Sequence, residues 1–231
     1  MSGEKDSLSS RVLTGASWLG AGRLGVRLIG VVSTLLLARL LTPEDFGLVA
    51  VAMAVFGVLS QMTETGLNAA LIHYQDATDD DYATTWTLGL LVGCLVAAVM
   101  LALAYPFAAF YDDPRYITLI AVAATLPLLG GLTNPRFIDF EKRLQFATVS
   151  AVMVAVKLVG FVVTISIAVV TRSYWALIAG TLASQVIRIA LTYYCMPWRP
   201  RFSLHAWPRL LRFSGWLMGA NALKALNQRA D

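Results

Sequence analysis

The feature that most constrains this chain is a series of six apolar stretches, each close to the roughly 20 residues that an α-helix needs to cross a bilayer. They are Val12 to Leu40, Phe46 to Ile72, Thr84 to Tyr105, Ile117 to Phe137, Thr148 to Val170 and Trp175 to Cys195. A seventh begins near Leu210 and is still running at Asp231. Only 14% of the residues are charged, against about 25% in soluble domains. The sequence therefore predicts an all-α integral membrane protein.

The polar segments divide the chain further. Residues 1–10 are polar and are predicted to form a disordered cytoplasmic tail, and 11–195 a lobe of six transmembrane helices. Residues 196–208 are a basic cytoplasmic linker, and 209–231 are expected to open a second lobe. The loops are too short to hold a catalytic domain. We therefore expect no catalytic residues and no cofactor.

Two further classes of partner are not expected. Cys94 and Cys195 show no metal-ligand spacing, so no metal site is predicted. The net charge of +4 would raise the question of nucleic acid in a soluble protein. Here the positive residues lie mostly in loops, where they report membrane orientation, and the expected surroundings are the lipid bilayer with no nucleic acid.

Lysine and arginine in the loops predict a cytoplasmic N-terminus, because cytoplasmic loops carry an excess of both. With that orientation, nine basic residues lie inside: Lys5, Arg11, Arg136, Lys142, Arg143, Arg199, Arg201, Arg209 and Arg212. Three lie outside: Arg39, Arg115 and Arg172.

Charged residues within the apolar stretches are costly in a bilayer, so they are candidates for function. Arg23 and Arg27 are four residues apart and share one face of the first helix, together with Gly30 and Thr34. This small and polar face suits a cavity or a close helix neighbour. The alternative is that both arginines extend to the cytoplasmic headgroups.

The second stretch carries Gln61, Glu64 and Asn68 at i, i+3 and i+7, on one face of a continuous helix. Glu64 and Arg23 both fall in the cytoplasmic half of the membrane and can pair, which would lower the insertion cost of each. Two interpretations remain open for Glu64. It is either one half of a structural ion pair or a coupling carboxylate that binds a proton or cation.

The later stretches add two more cations. Lys157 lies near the centre of the fifth stretch, and Arg188 lies one turn from Gln185 in the sixth. Together with Arg23 and Arg27 they form an excess of positive charge, which would attract an anion. Phosphate or pyrophosphate fits best, because arginine binds it in a bidentate manner.

Proline also predicts a distortion within the membrane. The fourth stretch contains Pro127 and the pair Asn134 and Pro135. Proline lacks the N–H that an α-helix needs and clashes with the preceding turn. These residues therefore predict a kink or a break in the fourth span.

Three segments carry a family resemblance. Residues 38–47, Ala-Arg-Leu-Leu-Thr-Pro-Glu-Asp-Phe-Gly, resemble the first-loop signature of bacterial polysaccharide exporters. Residues 61–71 are similar to the end of their second helix, and residues 211–231 to the opening of their second half. The group is the Wzx-type flippases of lipopolysaccharide and exopolysaccharide synthesis. It belongs to the superfamily of multidrug, oligosaccharidyl-lipid and polysaccharide exporters.

The resemblance implies two six-helix lobes around a central cavity, in a protein roughly twice as long as this chain. This chain would then be the N-terminal half, its partner the missing C-terminal lobe, and it alone is not expected to transport. The implied substrate is a polyprenyl-pyrophosphate-linked oligosaccharide, moved across the bacterial inner membrane. Arg23, Arg27, Lys157 and Arg188 would bind its pyrophosphate.

Two alternative functions agree less well with the sequence. A cation-coupled multidrug exporter of the same superfamily needs acidic cavity residues, but the first helix has no carboxylate between Leu8 and Leu41. A membrane enzyme of polysaccharide assembly is disfavoured by the short loops. The anionic lipid-linked substrate is therefore preferred.

The orientation gives a first testable prediction. Single cysteines replacing Ser2 and Ser203, in a background lacking Cys94 and Cys195, are expected to resist an impermeant thiol reagent in intact cells. Both should react once the cells are opened. Labelling of either cysteine from outside would reverse the orientation.

Overall fold

The computed structural model describes residues 2–62, 66–74 and 76–210, and for residues 2–14, 16 and 62 the backbone alone. Within these ranges the chain is helical and has no β-strand. The elements are α1 (Ser2–Leu40), α2 (Pro43–Met62), α3 (Leu67–His73), α4 (Asp79–Tyr111), α5 (Arg115–Ala123), α6 (Thr125–Gly131), a 3-10 helix (Pro135–Ile138), α7 (Asp139–Lys142), α8 (Phe146–Thr171) and α9 (Trp175–Cys195).

Five segments of the described chain are long and apolar enough to cross a membrane, within α1, α2, α4, α8 and α9. A sixth span is present if Arg115–Gly131 and Pro135–Lys142 are taken together, which are bent by 63° relative to each other. The prediction of an all-α membrane protein is confirmed. The predicted seventh helix lies outside the described residues.

The N-terminal tail differs from expectation. We predicted disorder for residues 1–10, but α1 begins at Ser2 and runs to Leu40 without interruption. The prediction of disorder is therefore wrong for the described backbone. Polarity was a poor guide here, because residues such as Glu4 and Lys5 have a high helix propensity although they are hydrophilic.

The second predicted span is two helices. α2 ends at Met62 and α3 begins at Leu67, with Gly66 between them in the left-handed conformation at φ 60°. That conformation favours glycine and ends a helix. The prediction that Gln61, Glu64 and Asn68 share one helical face is therefore wrong, since Gln61 and Asn68 lie on different helices. Glu64 itself lies outside the described residues.

The fourth span is broken where proline predicted it. α5 ends at Ala123, the residue whose carbonyl would need the N–H that Pro127 lacks. A second break separates Gly131 from Pro135. Asn134 begins the 3-10 helix, and its side-chain oxygen accepts a hydrogen bond from the Arg136 N–H at 3.0 Å. The predicted distortion is confirmed.

The helices pack as two groups. In one group α8 lies between α1 and α9, and in the other α4 packs against α5 and α6 while α2 packs against α5. The contact between α6 and α9 joins the groups. A core of buried alanine, leucine and valine side chains from α2, α4 and α5 holds the second group together.

Glycine permits very close contact within each group. A Cβ added to Gly93 of α4 would lie 2.4 Å from the Pro127 carbonyl oxygen of α6. In the other group, a Cβ added to Gly160 of α8 would lie 1.9 Å from the Ser184 hydroxyl of α9. Small residues at such crossings let helix backbones approach where lipid supplies no hydrophobic drive for association.

The bundle has two distinct ends. We call the end that holds residues 74, 76–78, 132–145 and 196–210 the basic end. At the opposite end Arg115 forms ion pairs with Glu44 at 2.5 Å and with Asp113 at 2.8 Å, and so ties the starts of α2 and α5 together. Hydrogen bonds from Arg115 hold the pKa of Asp113 below its usual value.

The glycine contacts predict opposite effects for two matched substitutions. Gly93→Ala is expected to lower the thermal midpoint of the detergent-solubilised protein, because overpacking costs about 1 to 3 kcal/mol. Gly57→Ala is the control, since no atom lies within 4 Å of the added Cβ. It is expected to raise the midpoint slightly, because alanine is the better helix former. Equal effects would contradict the close α4–α6 contact.

Candidate substrate cavity

A cavity of about 870 Å³ lies between the two helix groups. It is lined by α2, α3, α4 and α6 on one side and by α8 and α9 on the other, with the 3-10 helix and α7 at its edge. The lining comes from the first half of α4 and the last part of α9, so the cavity occupies the half of the bundle next to the basic end. Its volume falls within the usual range of ligand sites, about 300–1,000 Å³.

The cavity wall mixes polar, aromatic and very small residues. Bare glycine backbone forms part of it where α4 meets α6, and Phe56, Trp86 and Phe137 supply aromatic surface. The polar side chains include Asn68, Thr85, Thr133, Glu141, Gln185 and Arg188. Among the lining residues the charged ones are Glu141 and Arg188. This mixture suits a ligand with both polar groups and apolar faces.

The Thr85 hydroxyl is an unusual group in this wall. Thr85 is 5% exposed, and its Oγ1 has no hydrogen-bond partner in the described part of the chain. Its neighbours on α4 are paired: the Thr87 hydroxyl donates to the Ala83 carbonyl, and the Thr84 hydroxyl accepts from the Ala206 N–H. Leaving a buried hydroxyl without a partner costs about 1 to 3 kcal/mol.

A smaller cavity of about 330 Å³ lies between α1, α8 and α9. Lys157 of α8 reaches across it to α1, where its Cε lies 4.0 Å from the position that a Cβ on Gly30 would occupy. Ser33 of α1, Ser184 and Arg188 of α9 also line it. Arg188 is the one charged residue of the described chain that lines both cavities.

The structure brings together two of the four predicted cations. Lys157 and Arg188, which come from different helices, share the smaller cavity. Arg23 and Arg27 are exposed on α1 and line neither cavity. Within the described ranges, none of the four forms an ion pair. The role of all four in binding an anion stays a prediction.

The predicted polar face of the second span divides between two places. Asn68, on α3, lines the larger cavity. Gln61, at the end of α2, is exposed and does not line it. Glu64, the predicted partner of Arg23, lies outside the described residues.

Two residues that line the cavity, Glu141 of α7 and Thr85 of α4, are not among the candidates that the sequence predicts. The available signal was the Gly89–Gly93 pair, four residues apart on α4, because that spacing marks a close helix crossing and Thr85 lies one turn before it.

Side chains at the basic end position α7. Tyr82 donates to Asp139, and Lys142 lies 3.8 Å from the same carboxylate. Lys142 also donates to the Tyr74 carbonyl at 3.1 Å, and Arg136 pairs with Asp79. These contacts join the 3-10 helix and α7 to the start of α4, so they fix the cavity edge that carries Glu141.

The segment after α9 closes over the same end. The Ser203 N–H donates to the Thr87 hydroxyl at 3.1 Å. Arg209 lies 3.0 Å from Asp76 and 3.5 Å from Asp81, with its guanidinium 4.3 Å from the centre of the Tyr74 ring. The predicted basic linker 196–208 is therefore packed against the first turns of α4. Among the described residues, no group of three metal-ligating side chains is close enough to hold a metal ion.

Comparisons with known proteins identify relatives of this chain. The chain is 27% identical over 213 residues to the succinoglycan biosynthesis transport protein ExoT of Rhizobium meliloti, covering 90% of this chain and 43% of the relative. It is 24% identical over 233 residues to the lipopolysaccharide biosynthesis protein WzxC of Escherichia coli, covering 96% of this chain and 46% of the relative. A third relative is the teichuronic acid biosynthesis protein TuaB of Bacillus subtilis. It is 22% identical over 155 residues, covering 67% of this chain and 32% of the relative.

The chain spans less than half the length of these relatives. No solved structure matches it. The family described as polysaccharide biosynthesis protein matches residues 36–231, which is most of the chain. This helical membrane protein therefore belongs to the polysaccharide biosynthesis protein family.

Proposed function

We propose that this chain forms one lobe of an exporter that moves lipid-linked oligosaccharide repeat units across the bacterial cytoplasmic membrane. The observation that carries the proposal is Arg188, an arginine that lines two cavities within a multi-span bundle and forms no ion pair with any described residue. The relatives support the class of function, since ExoT is named as a succinoglycan biosynthesis transport protein, WzxC as a lipopolysaccharide biosynthesis protein and TuaB as a teichuronic acid biosynthesis protein. No catalytic role is assigned to any residue.

The position of Arg188 argues for a ligand. A charged side chain in the membrane is expensive, by at least about 2.5 kcal/mol on insertion scales, and such residues mark substrate pathways. Arg188 has no carboxylate partner among the described residues. An arginine retained without a partner gives no stability in return. A bound anion would supply the missing partner.

The second cation defines the class of anion. Lys157 lines the smaller cavity together with Arg188, so two positive charges from α8 and α9 face one space. The guanidinium offers a bidentate fork and the ammonium a compact point charge, a pair that suits a phosphate or pyrophosphate group. The pyrophosphate of a polyprenyl-linked oligosaccharide has this chemistry.

The two arginines of α1, Arg23 and Arg27, have a separate role in the proposal. Arg23 and Arg27 are exposed on α1 of this bundle, outside both cavities. Transporters of this architecture bind substrate where two repeats face each other. We propose that Arg23 and Arg27 lie on the face turned toward a second lobe, which the greater length of the relatives leaves room for. They would then meet the anion during its passage.

The orientation completes the proposed cycle. With a cytoplasmic N-terminus, the basic end and the larger cavity lie on the cytoplasmic side, where lipid-linked repeat units are built. The larger cavity would then receive the substrate before it crosses. Within the larger cavity, Glu141 is the one described carboxylate, so a cationic drug would find little to bind. An anionic lipid-linked substrate is therefore preferred.

Substitution of the cavity cations tests the function. Arg188→Ala and Lys157→Ala, introduced at the chromosomal gene, are expected to lower surface polysaccharide about 10- to 100-fold. The reason is that each hydrogen bond to a charged group contributes about 1.5 to 3 kcal/mol. Protein abundance should stay normal, because removing an unpaired charge lowers the insertion cost. Arg188→Lys should recover only part of the export, since lysine lacks the bidentate fork.

The control is Arg39→Ala, an exposed arginine at the end of α1 that lines neither cavity. It is expected to leave export unchanged. Transport itself is measured in vesicles holding the purified full-length product of that gene, as movement of a fluorescent polyprenyl-pyrophosphate oligosaccharide between leaflets. Normal export by both alanine variants would contradict a role for the cavity cations.

A further inference from the structure

The segment after α9 carries an inference about the membrane surface. We call residues 198–207 the strap. We propose that the strap binds the anionic headgroups of phospholipids, with Arg199 and Arg201 at the phosphate and the rings of Phe202 and Trp207 against the upper part of the acyl chains. This binding does not depend on the proposed exporter role, and nothing in the comparisons assigns it.

Two hydrogen bonds fix the strap along the start of α4. The Ser203 N–H donates to the Thr87 hydroxyl at 3.1 Å, and the Ala206 N–H donates to the Thr84 hydroxyl at 3.2 Å. Residue numbers rise along the strap where they fall along α4, so the two run antiparallel. The two threonines are three residues apart and share one face of the helix. The strap therefore covers that face of α4 at its first turns.

The same face of α4 is open beyond the strap. Leu91, Leu95 and Tyr105 follow Thr84 and Thr87 at helical spacing, and they are 53%, 59% and 74% exposed. An apolar helix face that the bundle leaves open is suited to contact with lipid tails. Leu91 lies one turn beyond Thr87, or about 6 Å along the helix axis. The strap therefore adjoins a surface with the chemistry of a lipid contact.

The length of α4 places the strap at the depth of the headgroups. α4 has 33 residues, which gives about 50 Å at the α-helical rise. The hydrocarbon core of a bilayer is about 30 Å thick, so the helix must extend beyond it. The acidic residues 79–81 in its first turn mark an end that lies outside the core. Thr87 lies within about 12 Å of that turn, so the strap lies near the boundary between headgroups and core.

The charges of the strap are positive and unpaired. Arg199 and Arg201 are exposed, and neither forms an ion pair with any described residue. The strap itself contains no carboxylate. Arg209, just beyond it, pairs with Asp76 and Asp81. Anionic headgroups attract basic segments at a membrane surface, and guanidinium groups bind phosphate in a bidentate manner.

The exposed apolar side chains of the strap distinguish a phospholipid from a free phosphate. Phe202, Leu204 and Trp207 are 77%, 47% and 52% exposed, and the Phe202 ring lies edge-on to Trp86 with 5.2 Å between ring centres. Aromatic rings favour the membrane interface, and basic and apolar groups occur together in segments that lie there. A free phosphate would use the arginines alone, whereas an anionic phospholipid uses both sets of side chains.

Lipid selectivity at the strap is measured on the full-length product of the gene in vesicles. Leu204→Cys, in a background without other cysteines, carries a fluorophore that is quenched by phospholipids with a nitroxide on the acyl chain. At equal mole fraction, labelled phosphatidylglycerol is expected to quench more strongly than labelled phosphatidylcholine. Arg199→Gln and Arg201→Gln should each lower the relative affinity for phosphatidylglycerol about two- to fivefold. The preference should also fall when salt is raised, because surface charges are then screened.

The control is Arg39→Gln, an exposed arginine at the opposite end of the bundle. It is expected to leave the lipid preference at the strap unchanged. The thermal midpoint should be the same in all three glutamine variants, because none of the three arginines forms an ion pair with a described residue. An unchanged preference in the double variant of Arg199 and Arg201 would contradict the proposed role of these arginines.

Three further outcomes would overturn the proposal. Absence of quenching by either lipid would show that protein, such as a second lobe, covers the strap. Equal quenching by the two lipids in the unaltered protein would show contact with lipid but no site for the anionic headgroup. Loss of the preference on adding inorganic phosphate at constant ionic strength would show a site for a free anion.

Discussion

The structure depends on the requirement that backbone polar groups within a bilayer find partners inside the protein. The critical place is the break in the fourth span, where Asn134 is 2% exposed. Its amide nitrogen donates to the Met196 carbonyl at 2.7 Å and to the Thr192 carbonyl at 3.3 Å, at the end of α9. Its oxygen accepts from the Arg136 N–H. The Asn134 side chain thus bonds to backbone groups at the end of α9 and at the start of the 3-10 helix. It keeps α9 beside the span that forms the cavity edge.

The cavity follows from this contact and from the glycine crossings. α4 and α6 touch at Gly93, and α8 and α9 touch at Gly160, so the two helices of each pair are closely packed against each other. The two groups join through α6 and α9. Space remains between them on the side of the basic end, and Gln185 and Arg188 of α9 line it.

Charge is distributed in two ways along the described chain. Two arginines at the ends have carboxylate partners: Arg115 with Glu44 and Asp113, and Arg209 with Asp76. The two cations that line a cavity, Lys157 and Arg188, have none in the same ranges. The ion pairs of Arg115 and Arg209 join helix termini, whereas Lys157 and Arg188 face a cavity. This separation supports a structural role for the first set and an anion-binding role for the second.

The sequence by itself determined the features that depend on local chemistry. Apolar length predicted the membrane helices, and Pro127 and Pro135 predicted the broken span, because proline acts on its own turn of the helix wherever it lies. Lys157 and Arg188 were recognised as costly charges for the same reason. The sequence pattern could not say which residues meet, since periodicity defines a helix face without defining what lies opposite.

Tertiary structure alone decided the rest. It placed Lys157 beside Arg188, left Arg23 exposed on α1, and brought Glu141 from an apparent loop to the edge of a cavity. It also ended α2 before Gly66, although glycine is common within membrane helices and gave no clear signal of a break. Each of these outcomes depends on contacts between helices that are distant in the chain, so they follow from how the helices pack rather than from the residues of any one of them.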